Sequence, residues 1–228
     1  MVVITYIYSK NERTQQMIDS FKRFGYEVAI VDADTHRGNG TALRLLYECY
    51  KRAATGHTSF MYADAADSFC QRKFFSPYDK IIYQTEKACY PHTWVANHYP
   101  NLPSPYSTSP WKYLNGGGYC GSPSLMVEFM ERYGLNDLPP EANGQHEQMM
   151  AYIQARKDGF PIELDLSCEL FQSMAFAEQE DFCIKEPLRP IEDNKKYSKY
   201  LFNTITKNIP AVLHFNGLTD MSILKELK

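Results

Sequence analysis

A chain of 228 residues, 44% apolar and 22% charged, is long enough for one large domain or two small ones and holds no low-complexity tract. Its formal net charge of −3 argues against a strongly electrostatic nucleic-acid binder, and no apolar run reaches membrane-spanning length. Six cysteines with no CxxC spacing argue against a zinc ribbon or a thioredoxin-type motif; with no cationic leader before the first apolar run, they read as reduced thiols of a cytoplasmic chain.

In chain order, MVVITYIY (1–8) is a β-branched, apolar run and predicts a buried strand. Residues 11–25 predict a helix with Met17, Ile18, Phe21 and Phe24 on one face and Gly25 as its stop. YEVAIVDAD (26–34) predicts a second strand, HRGNG (36–40) a loop, and residues 41–54 a second helix. SFMYADAADSF (59–69) predicts a third strand that runs into Asp64 and Asp67, and KIIYQTE (80–86) a fourth. This alternation predicts an α/β fold, a mixed and mostly parallel sheet flanked by helices, in one domain over residues 1–228. Ligands of such sheets gather beyond the carboxyl ends of the strands, where the two aspartates fall. Residues 89–123 are irregular, rich in proline, and hold both tryptophans. Helices follow over 124–134 and 145–159, a short strand within 160–174, and a last apolar run over 211–217.

Four short motifs carry chemistry. Asp64 and Asp67 bring two carboxylates to the end of a buried strand, where charge is costly without a partner. Such a pair suits a hard divalent cation that keeps open positions for phosphate oxygens; by itself it is also an ordinary solvated turn. In HFNG (214–217), His214 is either a third metal ligand through a neutral imidazole or a core histidine bonded to backbone. Asn216-Gly217 is a turn dipeptide that lets backbone approach a bound group. LNGGGYCG (114–121) places three glycines after an apolar strand, suited to close contact with a ligand, with neither P-loop nor dinucleotide spacing. Its Asn115 can both donate to and accept from sugar hydroxyls. In NGQHEQMM (143–150), His146 and Glu147 are a candidate base or acceptor-orienting pair, or the polar first turn of a helix.

Taken in order, the strand with Asp64-Ala-Ala-Asp67, TEKACYP (85–91), YLNGGGYCG (113–121), HEQ (146–148), LDLSCELFQ (164–172) and HFNG (214–217) resemble the glycosyltransferase domain of the procollagen lysyl hydroxylase (PLOD-like) family and its single-domain viral relatives. The resemblance runs over nearly the whole chain. It implies a GT-A fold, a UDP-sugar donor and Mn2+ (or Mg2+) held by Asp64, Asp67 and His214. It places Asn216 and Gly217 against the diphosphate, Asn115 and Gly116 to Gly118 along the sugar site, and Glu86 near the acceptor. Residues 1–90 would form the nucleotide-binding half, and 91–228 the acceptor-side half with a closing tail.

This chain departs from the family at three places. Tyr90 stands where the family has Trp in Cys-Trp-Pro, on the loop gating the site. His146-Glu147-Gln148 stands where it has Asp-Asp-Gln. Ala42 stands where it has a phosphate-binding lysine, with Arg37 or Arg44 as candidate substitutes. The expected activity is metal-dependent transfer of a hexose from a UDP-sugar to a hydroxyl, with Glu147 as base if the reaction inverts and no dedicated base if it retains. Residues 185–228, with eight Lys/Arg against five Asp/Glu, and the aromatic segment 89–123 lean towards a hydroxymethylated pyrimidine in DNA, a phage-type DNA modification. The alternatives are hydroxylysine, another protein or glycan hydroxyl, and an inactive nucleotide-sugar-binding module; no membrane partner is expected.

Overall fold

The opening β-branched run forms β1 (Val2–Ile7), buried at all six positions, so both of its faces must be covered. The computed structural model describes residues 1–7, 11–32, 39–99, 108–186, 199–217 and 219–227. α1 (Glu12–Lys22) is capped by Asn11, whose Oδ1 accepts from Thr14 N at 3.0 Å. The left-handed Gly25 (φ +79°) ends the turn that follows. β2 (Glu27–Asp32) returns parallel to β1. α2 (Asn39–Ala54) begins inside the segment expected to be a loop. Asn39 and Gly40 form its first turn, and Gly40 lets the helix abut the Pro139 carbonyl, which a Cβ would overlap.

β3 (Phe60–Ala63) pairs parallel with β1 and is buried throughout. Its side chains alternate between two cores: Phe60 and Tyr62 face α2 and the later helices, while Met61 and Ala63 face α1. The strands that follow are β4 (Ser68–Cys70), β5 (Ile81–Glu86) and β6 (Tyr113–Gly121). Then come α3 (Pro123–Arg132), α4 (Gly144–Lys157) and β7 (Ile162–Leu164). The main sheet has the order β2-β1-β3-β6-β5-β7, in which β6 runs antiparallel to both its neighbours and the other pairings are parallel. The mixed, mostly parallel sheet expected from the sequence is what forms.

Much of the tyrosine content goes into this core. Tyr119 stacks on Tyr62 at 4.8 Å, lies 4.7 Å from Tyr83, and shares a 2.6 Å hydroxyl hydrogen bond with the buried Tyr50. A second sheet packs behind the first: β4 antiparallel to β11 (Val212–His214), which is parallel to β8 (Phe171–Ser173). β9 (Phe182–Lys185) and β10 (Tyr200–Asn203) form a two-stranded ribbon. The run 160–174, expected to carry one strand, carries two, β7 and β8, in different sheets.

The glycine-rich motif is not the loop that its composition suggests. Gly116 to Gly118 lie within β6, as a bulge. Opposite them the register jumps: Tyr83 pairs with Tyr119, and the next residue, Gln84, pairs with Asn115. Three glycines thus oppose no residue of β5, and the sheet opens there.

Candidate active site

The opening in the sheet is where the metal-ligating candidates meet. Asp64 and Asp67 leave the carboxyl end of β3 on a tight turn, pinned by Asp64 N donating to Gly117 O (3.1 Å) and Phe215 N donating to Asp67 O (2.7 Å). The two intervening alanines are small enough for Ala65 to be buried under the turn. His214 arrives from β11 in the second sheet, 2% exposed. Its Nε2 lies 3.5 Å from Asp64 Oδ2 and 3.3 Å from Asp67 Oδ1. One ligand atom from each of the three residues falls within 4.8 Å of the others; among the described residues this is the one such group.

Gly117 makes the arrangement possible. A Cβ there would overlap the His214 ring and Asp64 Oδ2. Gly118 leaves room in the same way for the Gln84 amide, and Gly116 for Gln145 and Gln148. Gln84 Oε1 lies 3.2 Å from His214 Nδ1; with Nδ1–H donating to it, the neutral ring turns its Nε2 lone pair towards the two carboxylates. Tyr62 donates its hydroxyl to Asp64 Oδ1 at 2.5 Å, fixing the first carboxylate.

Electrostatics and hydrogen bonding both ask for a cation. Burial alone would depress the His214 pKa, but the Asp67 and Asp64 carboxylates outweigh it and push it up to about 10. Burial likewise works to raise Asp67, yet the positive imidazolium holds its carboxyl below the usual range. Outside the Asp64–Asp67–His214 cluster itself, the buried His214 Nε2 and Asp67 Oδ1 have no hydrogen-bond partner. Two carboxylates, an imidazole lone pair and unpartnered atoms aimed at one point fit a divalent cation of the Mg2+/Mn2+ class.

A cavity of about 330 Å3 opens beside this cluster. Asp64, Asp67, Gly116 and Gly117 form one wall. Asn11 and Thr14 at the start of α1, Asn39 and Ala42 in α2, and Gly144, Gln145 and Gln148 in α4 form the rest. Three helix N-termini therefore open onto it, and the positive end of each helix dipole favours an anion. Ala42, the departure from lysine, is part of the wall; Arg44 is exposed and outside it, and Arg37 lies outside the described residues. The cavity draws on both sequence halves expected at the outset, since β3 and α2 share it with β6 and α4.

The other expected residues sort by position. Gln148 is buried on the cavity wall, its Oε1 accepting from Tyr83 OH at 3.2 Å. Glu86, Asn115 and Asn216 form a linked network behind the bulge: Glu86 Oε2 accepts from Asn115 Nδ2 (2.9 Å) and Asn216 Nδ2 (3.2 Å). Glu86 is 2% exposed, and burial pushes its pKa up to about 7 although the two amides and the positive His214 oppose it. Asn115 Oδ1 also accepts from Gly117 N (2.9 Å), so its amide shapes the bulge. Gly217 sits at φ +69° in the turn after His214. None of Glu86, Asn115, Asn216 and Gly217 lines the cavity. Glu147 and His146 are half-buried in the first turn of α4, one position from the wall, and His146 packs its ring edge-on against His92 at 4.9 Å. Tyr90 stands 60% exposed beyond the end of β5.

Sequence reasoning missed Gln84, Tyr62 and Gln145. Gln145 closes the bulge from outside, accepting from Gly116 N and donating to Leu114 O, both at 2.7 Å. The signal for Tyr62 and Gln84 was present: each lies two residues before a carboxylate, Asp64 or Glu86, on a strand whose alternate positions share a face.

A family model described as the PLOD GT domain matches residues 1–227. Procollagen-lysine,2-oxoglutarate 5-dioxygenase 2 of Mus musculus is 23% identical over 97% of this chain and 30% of its own length. The uncharacterized protein R699 of Acanthamoeba polyphaga mimivirus is 26% identical over 64% of this chain and 26% of its own length. Procollagen-lysine,2-oxoglutarate 5-dioxygenase of Drosophila melanogaster is 23% identical over 82% of this chain and 25% of its own. The matched region is thus about a third or less of each relative, and the viral one is itself far longer than a single domain of this size. Together with the strand order, the match makes the fold of GT-A type.

Proposed function

The chain belongs to the PLOD GT domain family, and from that premise we propose that it is a metal-dependent glycosyltransferase that moves a hexose from a UDP-sugar to a hydroxyl acceptor. The observation that carries the reading is the Asp64–Asp67–His214 cluster at the mouth of the cavity, with Gly117 cleared for it. Asp64, Asp67 and His214 would hold Mn2+ or Mg2+; the ion, when bound, supplies Lewis-acid neutralisation of the leaving diphosphate. The helix N-termini of α1, α2 and α4 would receive the remaining anionic charge. Gly116, Gly117 and Gln148 would line the sugar, and the Asn115–Glu86–Asn216 network would hold the bulge and the Asn216-Gly217 turn in register. Tyr62 and Gln84 orient the two kinds of ligand. Glu147, one residue before Gln148, is the candidate base for an inverting reaction, with His146 beside it and Tyr90 on the acceptor side.

For the acceptor, charge decides the preference. Of the basic tail that favours DNA, residues 187–198 lie outside the described residues. The aromatic segment helps a DNA acceptor little: residues 89–123 contain one Lys, Lys112, and no Arg to meet phosphates. A hydroxyl on a protein or glycan is the better-supported class.

UDP release from a panel of UDP-sugars with Mn2+, measured for the wild type and Asp67→Ala, tests the reading. Turnover by the wild type and its loss by at least 100-fold in a folded variant is the expected result. Binding of UDP with no turnover of any UDP-sugar would replace it with an inactive binding module. Full activity in Asp67→Ala would remove the metal site from the chemistry.

A further inference from the structure

We propose that Phe176 contacts the acceptor, and that this acceptor is uncharged and polyhydroxylated, a saccharide or glycoside; the proposal rests on the glycosyltransferase reading above.

Residues 174–177 form a turn closed by Ala177 N donating to Met174 O at 3.2 Å. Its third position is Phe176, at φ +58°. Turns of this hand favour glycine there, because a Cβ in the left-handed region is strained, and for a bulky side chain such a conformation is an outlier. Packing gives no compensation. The ring is 63% exposed and belongs to none of the three apolar cores, and among the described residues no aromatic ring pairs with it.

The turn is nonetheless tied to the site. Met174 N donates to the His214 carbonyl at 2.8 Å, and Ala175 N to Asn216 Oδ1 at 3.4 Å. Asn216 Oδ1 also accepts from Ser173 Oγ at 2.8 Å. An exposed aromatic ring is thus held, against backbone preference, two residues from an anchor on the metal-ligand strand. Strain kept without a packing reason beside a reactive cluster points to a ligand.

The chemistry of the rim selects the ligand class. Glu178 and Glu180 follow Phe176 in the chain, and residues 88–111 carry no cation. Lys87, the cation beside this segment, is taken up by Asp181, so a polyphosphate would find little free positive charge there. What this end of the molecule presents is rings. Trp94, 56% exposed, lies 6.1 Å from His146 and 6.2 Å from His92. His146 Nδ1 is buried without a partner, next to Gln145 on the cavity wall. Flat apolar faces with imidazole nitrogens among them suit a sugar, which offers an apolar C–H face to stack and hydroxyls to pair.

Saturation-transfer NMR reads binding without needing turnover. The probes are lactose and a panel of methyl glycosides, with Mn2+ and UDP present, on the wild type and on Phe176→Gly and Phe176→Leu. At least one probe should be saturated by the wild type and show at least a five-fold loss in Phe176→Gly. Phe176→Leu should fall between, UDP affinity should stay within two-fold, and Tm should rise by roughly 2–4 °C in the glycine variant as strain is relieved. Equal saturation in wild type and Phe176→Gly, or no probe saturated by either, overturns the proposal. So does a glycine variant that loses Tm and UDP affinity together, which would make Phe176 a packing residue. Saturation of hydroxymethylated DNA or of a hydroxylysine peptide in place of every neutral probe overturns the ligand class. If no UDP-sugar is turned over yet a saccharide still binds through Phe176, the glycosyltransferase reading falls and this subsite stands.

Discussion

Glu86 puts a carboxylate at the end of β5 where two amides meet one oxygen and nothing meets the other. Burial raises its pKa to about 7, so the folded chain keeps a proton there that the unfolded chain releases near 4.5. Between these values the native state binds more protons at Glu86 than the unfolded one, so the Glu86 contribution to stability falls as pH rises through the window and levels off above it. The span corresponds to about 3 kcal/mol as an upper figure. Glu86→Gln removes the titration while keeping an oxygen for Asn115 and Asn216. In urea denaturation with a chelator present, the stability of the wild type relative to the variant should fall from pH 4.5 to 7 and stay constant above, since the His214 titration is common to both. At pH 8 the variant should be the more stable chain, by less than that figure because its new NH2 group replaces an oxygen that had no partner. Parallel pH curves for the two proteins would mean that Glu86 is not the group responsible.

Among the elements, the bulge in β6 decides whether the site exists. Gly117→Ala adds one methyl where the His214 ring and Asp64 Oδ2 already stand. His214 is buried between two sheets and has little room to move, so overpacking of about 1–3 kcal/mol is expected. Mn2+ affinity, followed by electron paramagnetic resonance, should drop more than ten-fold. Gly56→Ala, where a Cβ meets nothing within 4 Å, is the control and should change neither quantity. A Gly117→Ala protein with wild-type Mn2+ affinity would show that the bulge does not shape the site. This element also marks where the sequence stops being readable. Asp64 and Asp67 announce themselves, because charge at the end of an apolar strand is a local anomaly. β1, α1 and α4 are equally legible, through long apolar periods and caps. Three consecutive glycines read locally as a loop; they form a strand bulge because Gln84 and His214, 33 and 97 positions from Gly117, occupy the space their missing side chains leave. β4, β8 and β10 have three or four residues each, too few for any period to register. The resemblance carried His214 into the site before any geometry did; Gln84, Tyr62 and Gln145, which orient the ligands and the bulge, came only with the fold.

At the scale of the molecule, the cluster is a joint. Asp64 and Asp67 belong to the main sheet and His214 to the sheet behind it, so a shared cation would tie the two together. Binding to the folded state alone stabilises it by about 2.7 kcal/mol at a ligand concentration 100 times Kd. For a chain of this length each kcal/mol is worth roughly 2–4 °C, so Mn2+ with UDP should raise Tm by roughly 5–10 °C, and a chelator should reverse it. The order of addition matters more than the size. No described residue of the cavity wall is Lys or Arg, and two of its residues are the aspartates. UDP alone would bring a diphosphate against two carboxylates offset only in part by the His214 imidazolium and Arg13, with helix N-termini as a further attraction. Its shift should therefore be small without the metal and large with it, and Asp67→Ala should abolish the metal-dependent part while leaving the small remainder. Equal UDP shifts with and without Mn2+ would show that the nucleotide is held by cations elsewhere in the chain, and the link between the Asp64–Asp67–His214 cluster and the donor would be broken.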